Sequence, residues 1–203
     1  MSDGGSTDGT AQICANAGVQ FVRSPQKGRG AQLNYGATFA SADVLFFMHA
    51  DTNAPDDFIS HILRAISEGH LAGCFRLEFD WNHWFLNFSA WCTRFNITAV
   101  RFGDQGLFVT KALFEKIEGY RSDYILLEDQ EIIRRLIKKT RLKVLPWAMQ
   151  TSARKYRENG PIRLQWAFFQ VWLNYYLGKP QAELLQLYKR KIKDAKLTVN
   201  DTP

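Results

Sequence analysis

Asp43-Val44-Leu45-Phe46-Phe47-Met48-His49-Ala50-Asp51-Thr52 is the stretch that decides the fold. An acidic residue leads into an unbroken apolar run, too short for a helix and apolar on both faces, which reads as an interior strand of a mostly parallel sheet. The next segment reads as a helix. Pro55 takes a first helical position, Asp56 and Asp57 occupy the first turn, and Phe58, Ile59, Ile62, Leu63 and Ile66 form an inward stripe before Gly69. In open α/β sheets, ligands bind beyond the carboxyl ends of the strands. His49 and Asp51 stand at such an end.

Outward from this core, strands are expected at 19–22, 71–79, 106–109 and 142–145, and helices at 10–17, 31–40, 111–117 and 128–139. Ile132, Ile133, Leu136 and Ile137 give the last of these helices its inward face. Residues 84–100 are rich in aromatics with mixed periodicity. Alternating strands and helices predict an α/β layered domain over residues 1–153 with helices on both sides of the sheet. Residues 154–203 follow as an aromatic and basic helical extension, with the end after Leu197 expected to fray.

The chain has 203 residues, 46% of them hydrophobic, which suffices for one sizeable core. Cys14, Cys74 and Cys92 are odd in number and widely spaced, arguing against a disulfide framework or a zinc site and for a reducing, cytoplasmic setting. No signal-peptide pattern opens the chain. The longest apolar candidate, 164–177, would reach about 21 Å as a helix at about 1.5 Å per residue, short of a bilayer. Charge is asymmetric: residues 1–133 hold 10 Lys/Arg against 16 Asp/Glu, and residues 134–203 hold 16 against 4. The basic end invites an anionic partner.

Several residues carry chemistry. Asp3-Gly4-Gly5-Ser6-Thr7-Asp8-Gly9-Thr10 sets carboxylates, hydroxyls and glycines before a helix, where the backbone can approach a ligand or Asp8 can simply cap. Asp51 can offer carboxylate oxygen to the hard divalent cation of a nucleotide diphosphate, and His49 can orient a ribose, a phosphate or the metal. A strand-end Asp serving as an N-cap is the plainer reading of Asp51. Glu128 and Asp129 open an amphipathic helix, where a carboxylate either steadies the dipole or deprotonates an acceptor hydroxyl. Gly28-Arg29-Gly30 is no dinucleotide fingerprint, because Leu33 takes the third glycine position.

In order, the Asp-Gly-Gly-Ser-Thr-Asp-Gly-Thr run, Lys27-Gly28-Arg29-Gly30-Ala31-Gln32-Leu33-Asn34-Tyr35-Gly36-Ala37, His49-Ala50-Asp51-Thr52, Gly103-Asp104-Gln105-Gly106 and Glu128-Asp129 resemble family 2 glycosyltransferases. The resemblance spans about residues 3–190. With Thr151-Ser152-Ala153-Arg154, the pattern is similar to the branch named for arsenosugar biosynthesis. It implies a GT-A fold and inverting transfer from a nucleotide-diphosphate sugar with Mg2+ or Mn2+. By the same resemblance, Asp3, Asp8, Arg29 and His49 belong to the donor side, Asp51 to the metal, and Asp129 is the catalytic base. Asp104, Gln105 and Glu128 fall on the acceptor side, and Arg29, Arg154 or Arg157 adds charge stabilisation. Most relatives carry Asp where this chain has His49, which leaves one carboxylate for the metal. The family also implies a strand, a helix and a second strand, roughly 35 residues in the size range of a strand-helix-strand unit, ahead of Asp3. A catalytically silent remnant that binds a partner or membrane is the alternative expectation.

Trp166, Phe168, Phe169, Trp172, Tyr175 and Tyr176 crowd one helical segment, and Lys189, Arg190, Lys191, Lys193 and Lys196 follow it. A helix apolar nearly all round packs on the domain or meets lipid, and the basic residues suit anionic headgroups on the inner face of a plasma membrane. No nucleic-acid module accompanies the charge. Association between copies of the chain is a further expectation.

Overall fold

The computed structural model describes residues 1–193. Lys196 and the segment after Leu197 lie outside the described residues. Strand β1 (Ser2–Asp3) pairs in parallel with β2 (Val22–Arg23), and α1 (Thr10–Asn16) connects them. Helix α2 (Arg29–Thr38) leads into β3 (Val44–Phe47), the decisive apolar run, and the turn after it enters β4 (Thr52–Asn53). Helix α3 (Phe58–Ser67), β5 (Ala72–Phe79) and α4 (Trp84–Cys92) follow. Then come β6 (Leu107–Thr110), α5 (Lys111–Lys116), α6 (Glu128–Leu136) and β7 (Lys143–Thr151). The chain continues as α7 (Arg154–Asn159), α8 (Pro161–Tyr176) and α9 (Gln181–Lys191).

The α/β layering expected from the sequence holds, but the sheet is mixed rather than mostly parallel. Its order is β3-β6-β5-β7-β4, and only β5 and β7 run parallel. Strand β6 enters between β3 and β5 from the opposite direction. Leu107, Phe108 and Val109 are all buried there. An apolar run reports burial on two faces, and both faces of this sheet are covered, so composition alone cannot tell strand direction.

One face packs Leu45, Phe47, Leu107 and Val109 against Phe114 of α5 and Ile132 and Leu136 of α6. The other packs Phe75, Phe108 and Met149 against Ile62 and Ala65 of α3. Fully burying a side chain such as Phe75 or Phe108 is worth about 1.5–3 kcal/mol. A third cluster joins Leu164, Ala167, Val171 and Tyr175 of α8 to Leu184, Leu185 and Tyr188 of α9, with Leu126 in its midst. That contact ties the C-terminal helices to the segment that launches α6.

Two inward stripes differ from expectation. Asp57 has φ of 53°, so α3 starts after it at Phe58, and Asp56 and Asp57 precede the helix instead of filling its first turn. Ile62 and Ala65 are buried while Ile59 and Leu63 are exposed, because the helix meets the sheet on a narrower face. Ile137 follows the last residue of α6 and is exposed as well.

Candidate active site

The segments beyond β3 and β7 are stitched together. Thr52 N donates to His49 O at 3.3 Å, Ser152 N donates to Asp51 O at 3.2 Å, and β4 pairs with the end of β7. This short β4 holds the His49-Ala50-Asp51 turn at the mouth of a cavity of about 1440 Å3. Arg29, His49, Asp51, Asp104, Glu128, Asp129, Arg154 and Lys155 all reach the cavity lining, from five different segments of the chain.

The 3-10 turn Gly103–Gln105 forms one wall. His49 Nδ1 lies 2.7 Å from Asp104 Oδ1, and Gly103 N donates to Asp129 Oδ2 at 2.8 Å. Asp129 Oδ1 accepts from Gln130 N at 2.7 Å. Gly103 is required by space: a Cβ there would stand 2.6 Å from His49 Nε2. Burial works against the Asp104 carboxylate, yet the hydrogen bond and charge of His49, with Arg29 and Lys155 nearby, hold it below the usual carboxylate range.

Arg29 opens α2 after Gly28, whose φ is 113°. Its Nη1 stands 2.9 Å from Glu128 Oε1, an ionic contact with no hydrogen bond to that oxygen. Glu128 is only 2% exposed, while the Arg29 side chain is about half in solvent. The neighbouring Glu128 raises the Arg29 guanidinium further above its ordinary value. For Glu128, burial outweighs the attraction of Arg29, and the charge of Asp129 adds to it, so its carboxyl is pushed up. Leu127, just ahead of the pair, is held at φ of 61°, a left-handed position that costs a non-glycine residue about 1–2 kcal/mol. Such strain at the start of α6 aims Glu128 and Asp129 toward one cavity.

Not every sequence-predicted residue joins this group. The Asp3 carboxylate, 4% exposed, folds back onto Gly5 N at 2.8 Å, Ser6 N at 2.9 Å and the Ser6 hydroxyl. Those bonds lower its pKa, chiefly the one from the Ser6 hydroxyl, and engage it within its own turn. Asp8 is exposed and closes a turn with Thr10 N at 3.1 Å. Neither carboxylate lines the cavity. Gln105 is 1% exposed, and its Oε1 accepts from Phe102 N at 3.2 Å, so it braces the turn from inside. Of the three candidate arginines, Arg29 and Arg154 reach the cavity. Arg157 pairs with Asp80 at 3.3 Å and stacks over Trp81.

Sequence reading missed Arg101 and Lys155. Buried Arg101 donates to Thr93 O at 2.6 Å and to Phe95 O, its own carbonyl accepts from Gln130 Nε2, and it thereby locks the Gly103 turn to α6. Its place directly before Phe102-Gly103-Asp104 was the available signal. Lys155, one residue after Thr-Ser-Ala-Arg, had none.

Among the described residues no three His, Cys, Asp or Glu side chains converge as a metal cage. The Asp51 carboxylate faces the cavity with no hydrogen bond or ion pair among the described residues. A single free carboxylate of this kind suits a hard cation that takes its other ligands from diphosphate and water.

The family model described as "Glycosyl transferase family 2" matches residues 1–115. No curated protein matches the chain. Among solved structures, the mannosyltransferase PcManGT from Pyrobaculum calidifontis, in complex with GDP-Man and Mn2+, is 15% identical with a TM-score of 0.61. That likeness covers 97% of this chain and 55% of that one. Glucosyl-3-phosphoglycerate synthase from Mycobacterium tuberculosis, in complex with phosphoglyceric acid, is 12% identical with a TM-score of 0.51, covering 72% and 57%. The chain thus spans little more than half the length of either, and the likeness establishes the GT-A type of fold.

Proposed function

The chain belongs to glycosyl transferase family 2, and from that premise we propose that it moves a sugar from a nucleotide-diphosphate donor to an acceptor hydroxyl, with inversion at the anomeric carbon. The observation that carries this reading is the convergence of Asp51, the His49–Asp104 pair, Asp129 and the cations Arg29 and Arg154 on one cavity. Asp51 would hold the divalent cation, Mn2+ or Mg2+, against the donor. When bound, that ion supplies electrostatic stabilisation of the departing diphosphate. Mn2+ and GDP-mannose are the first pair to test, since PcManGT holds both.

The chain's own groups do the rest. Asp129, held by Gly103 N, takes the proton from the acceptor hydroxyl as that oxygen attacks the anomeric carbon and the bond to the leaving phosphate breaks. Asp104 fixes the His49 ring toward the donor, a positioning role rather than an acceptor contact. Arg29 and Arg154, both on the cavity lining, would offset the negative charge that develops on the leaving group. Glu128, buried against Arg29, keeps that guanidinium at the cavity wall.

Donor binding and turnover with GDP-mannose and UDP-glucose, with Mn2+ or Mg2+, test the assignment. Asp51→Ala should abolish the metal dependence of donor binding. Asp129→Asn should leave that binding in place and reduce transfer by about 10²–10⁴-fold, the usual contribution of a general base. Unchanged behaviour in both variants refutes these roles. Absence of any nucleotide-sugar binding by the wild-type chain favours the silent alternative.

We also propose attachment to an anionic membrane surface from the cytoplasmic side. Ile162, Trp166, Leu173 and Leu177 form an exposed stripe on and just past α8, with Trp166 59% exposed, and Lys189, Arg190 and Lys191 close α9. No helix of the described residues is long and apolar enough to cross a membrane. Co-sedimentation with phosphatidylglycerol vesicles should fall in Lys189→Glu/Lys191→Glu; sedimentation insensitive to that change removes the idea.

A further inference from the structure

Helix α8 lines the catalytic cavity along one side while another side packs on the core. Leu164, Ala167, Val171 and Tyr175 face the core, and the exposed stripe faces out. Gln165, Phe168, Phe169 and Trp172, spaced i, i+3, i+4, i+7, line the catalytic cavity, Phe168 also packing on the C-terminal core cluster. Helix α4 repeats the pattern, with Phe85, Phe88, Ser89 and Cys92 at the same spacing on the same cavity. Apolar residues so spaced normally bury against another element. Here Phe88 stays 59% exposed while it forms the cavity wall.

The cavity lining joins two chemistries. Asp51, Asp104, Asp129 and Arg29 share it with the aromatic rings of α4 and α8, whose lining positions hold few polar groups. One of those few, Gln165, already accepts the Tyr156 hydroxyl at 3.1 Å. A freely soluble sugar acceptor would need hydrogen-bonding side chains along that wall. The volume, about 1440 Å3, exceeds the roughly 300–1,000 Å3 of ordinary small-molecule sites and leaves room beyond a nucleotide sugar.

Resting on the transfer reading above, we infer that the acceptor is an amphiphile whose hydroxyl-bearing head reaches Asp129 while its apolar tail lies in the aromatic groove between α4 and α8. The groove is continuous with the catalytic cavity, so head and tail are served by one space. Burial of each methylene there should strengthen binding by about fourfold.

Calorimetric titration with n-butyl, n-hexyl and n-octyl β-D-glucoside, each below its micelle threshold, tests the inference. Affinity should climb by about 200-fold from butyl to octyl, with increasingly negative heat-capacity change. Phe88→Ser and Phe169→Ser, both at partly exposed positions, should flatten that climb, and Ile59→Ser on the far helix α3 should leave it intact. Dissociation constants independent of chain length, or a climb unaffected by both Phe substitutions, overturn the inference. GDP-mannose with Mn2+ is titrated separately: failure there alongside a retained chain-length dependence overturns the transfer reading and not the ligand class.

Discussion

Removing Arg29 should destabilise the protein in a pH-dependent way. Glu128 is 2% exposed and Arg29 provides its ion pair at 2.9 Å. Stripping the partner from a fully buried carboxylate costs about 3–5 kcal/mol, and from an exposed one about 0.2–1 kcal/mol. Here one end is buried and the other about half in solvent, so screening reduces the cost of Arg29→Ala to about 2 kcal/mol at neutral pH. With a urea m-value of about 2 kcal/mol/M, the unfolding midpoint should fall by about 1 M. The pH dependence follows from Glu128, whose folded pKa already lies above its ordinary value. A raised carboxyl contributes stability below the unfolded pKa, about 4.3, and loses it as pH rises through the folded pKa. Without Arg29 the folded pKa rises further, so the deficit relative to wild type should be small near pH 4 and grow toward neutrality. Urea titrations at pH 4, 5.5 and 7 measure it, and Glu128→Gln in the Arg29→Ala background should remove most of the trend. A deficit that is constant with pH, or below about 0.5 kcal/mol at pH 7, refutes the reasoning.

Three further outcomes are expected. Gly103→Ala puts a methyl 2.6 Å from His49 Nε2 and should displace that ring from Asp104, lowering donor turnover at least tenfold in steady-state assays while far-ultraviolet circular dichroism stays unchanged. In β5, Gly73→Ala would set a Cβ 2.3 Å from Lys143 O and 2.5 Å from the Phe108 ring, a clash with backbone and core together. It should cost about 3 kcal/mol or more and lower Tm by about 6–12 °C in calorimetry. Glu118 sits at φ of 60° before Gly119, so Glu118→Gly should relieve the left-handed strain and, after the added unfolded-state freedom, stabilise by about 0.5 kcal/mol in urea unfolding.

Much of the site was legible because its residues follow strands or open helices. His49 and Asp51 end the apolar run of β3, and Glu128-Asp129 start α6, as local pattern indicates. Asp3, Asp8 and Gln105 stand outside the cavity lining and share one habit. A short polar side chain can satisfy itself on neighbouring backbone, and motif spacing does not separate that use from a ligand contact. The mixed periodicity of 84–100 likewise has a physical origin. Helix α4 buries Leu86 on one face and turns aromatics to the cavity on another, so two apolar stripes overlap in one helix.

By itself, the sequence located β3, α3, β6 and α6 and the carboxylates that stand at the ends of β3 and α6, since apolar periodicity and turn residues act over a few positions. Only the tertiary structure decided that β6 runs against β3 and β5, that Asp51 is free while Asp3 is engaged, and that the aromatics of α4 and α8 face the catalytic cavity. Those outcomes depend on which distant segment packs alongside. Burial and period, which a sequence displays, are the same for either direction of a strand and for either occupant of an apolar face.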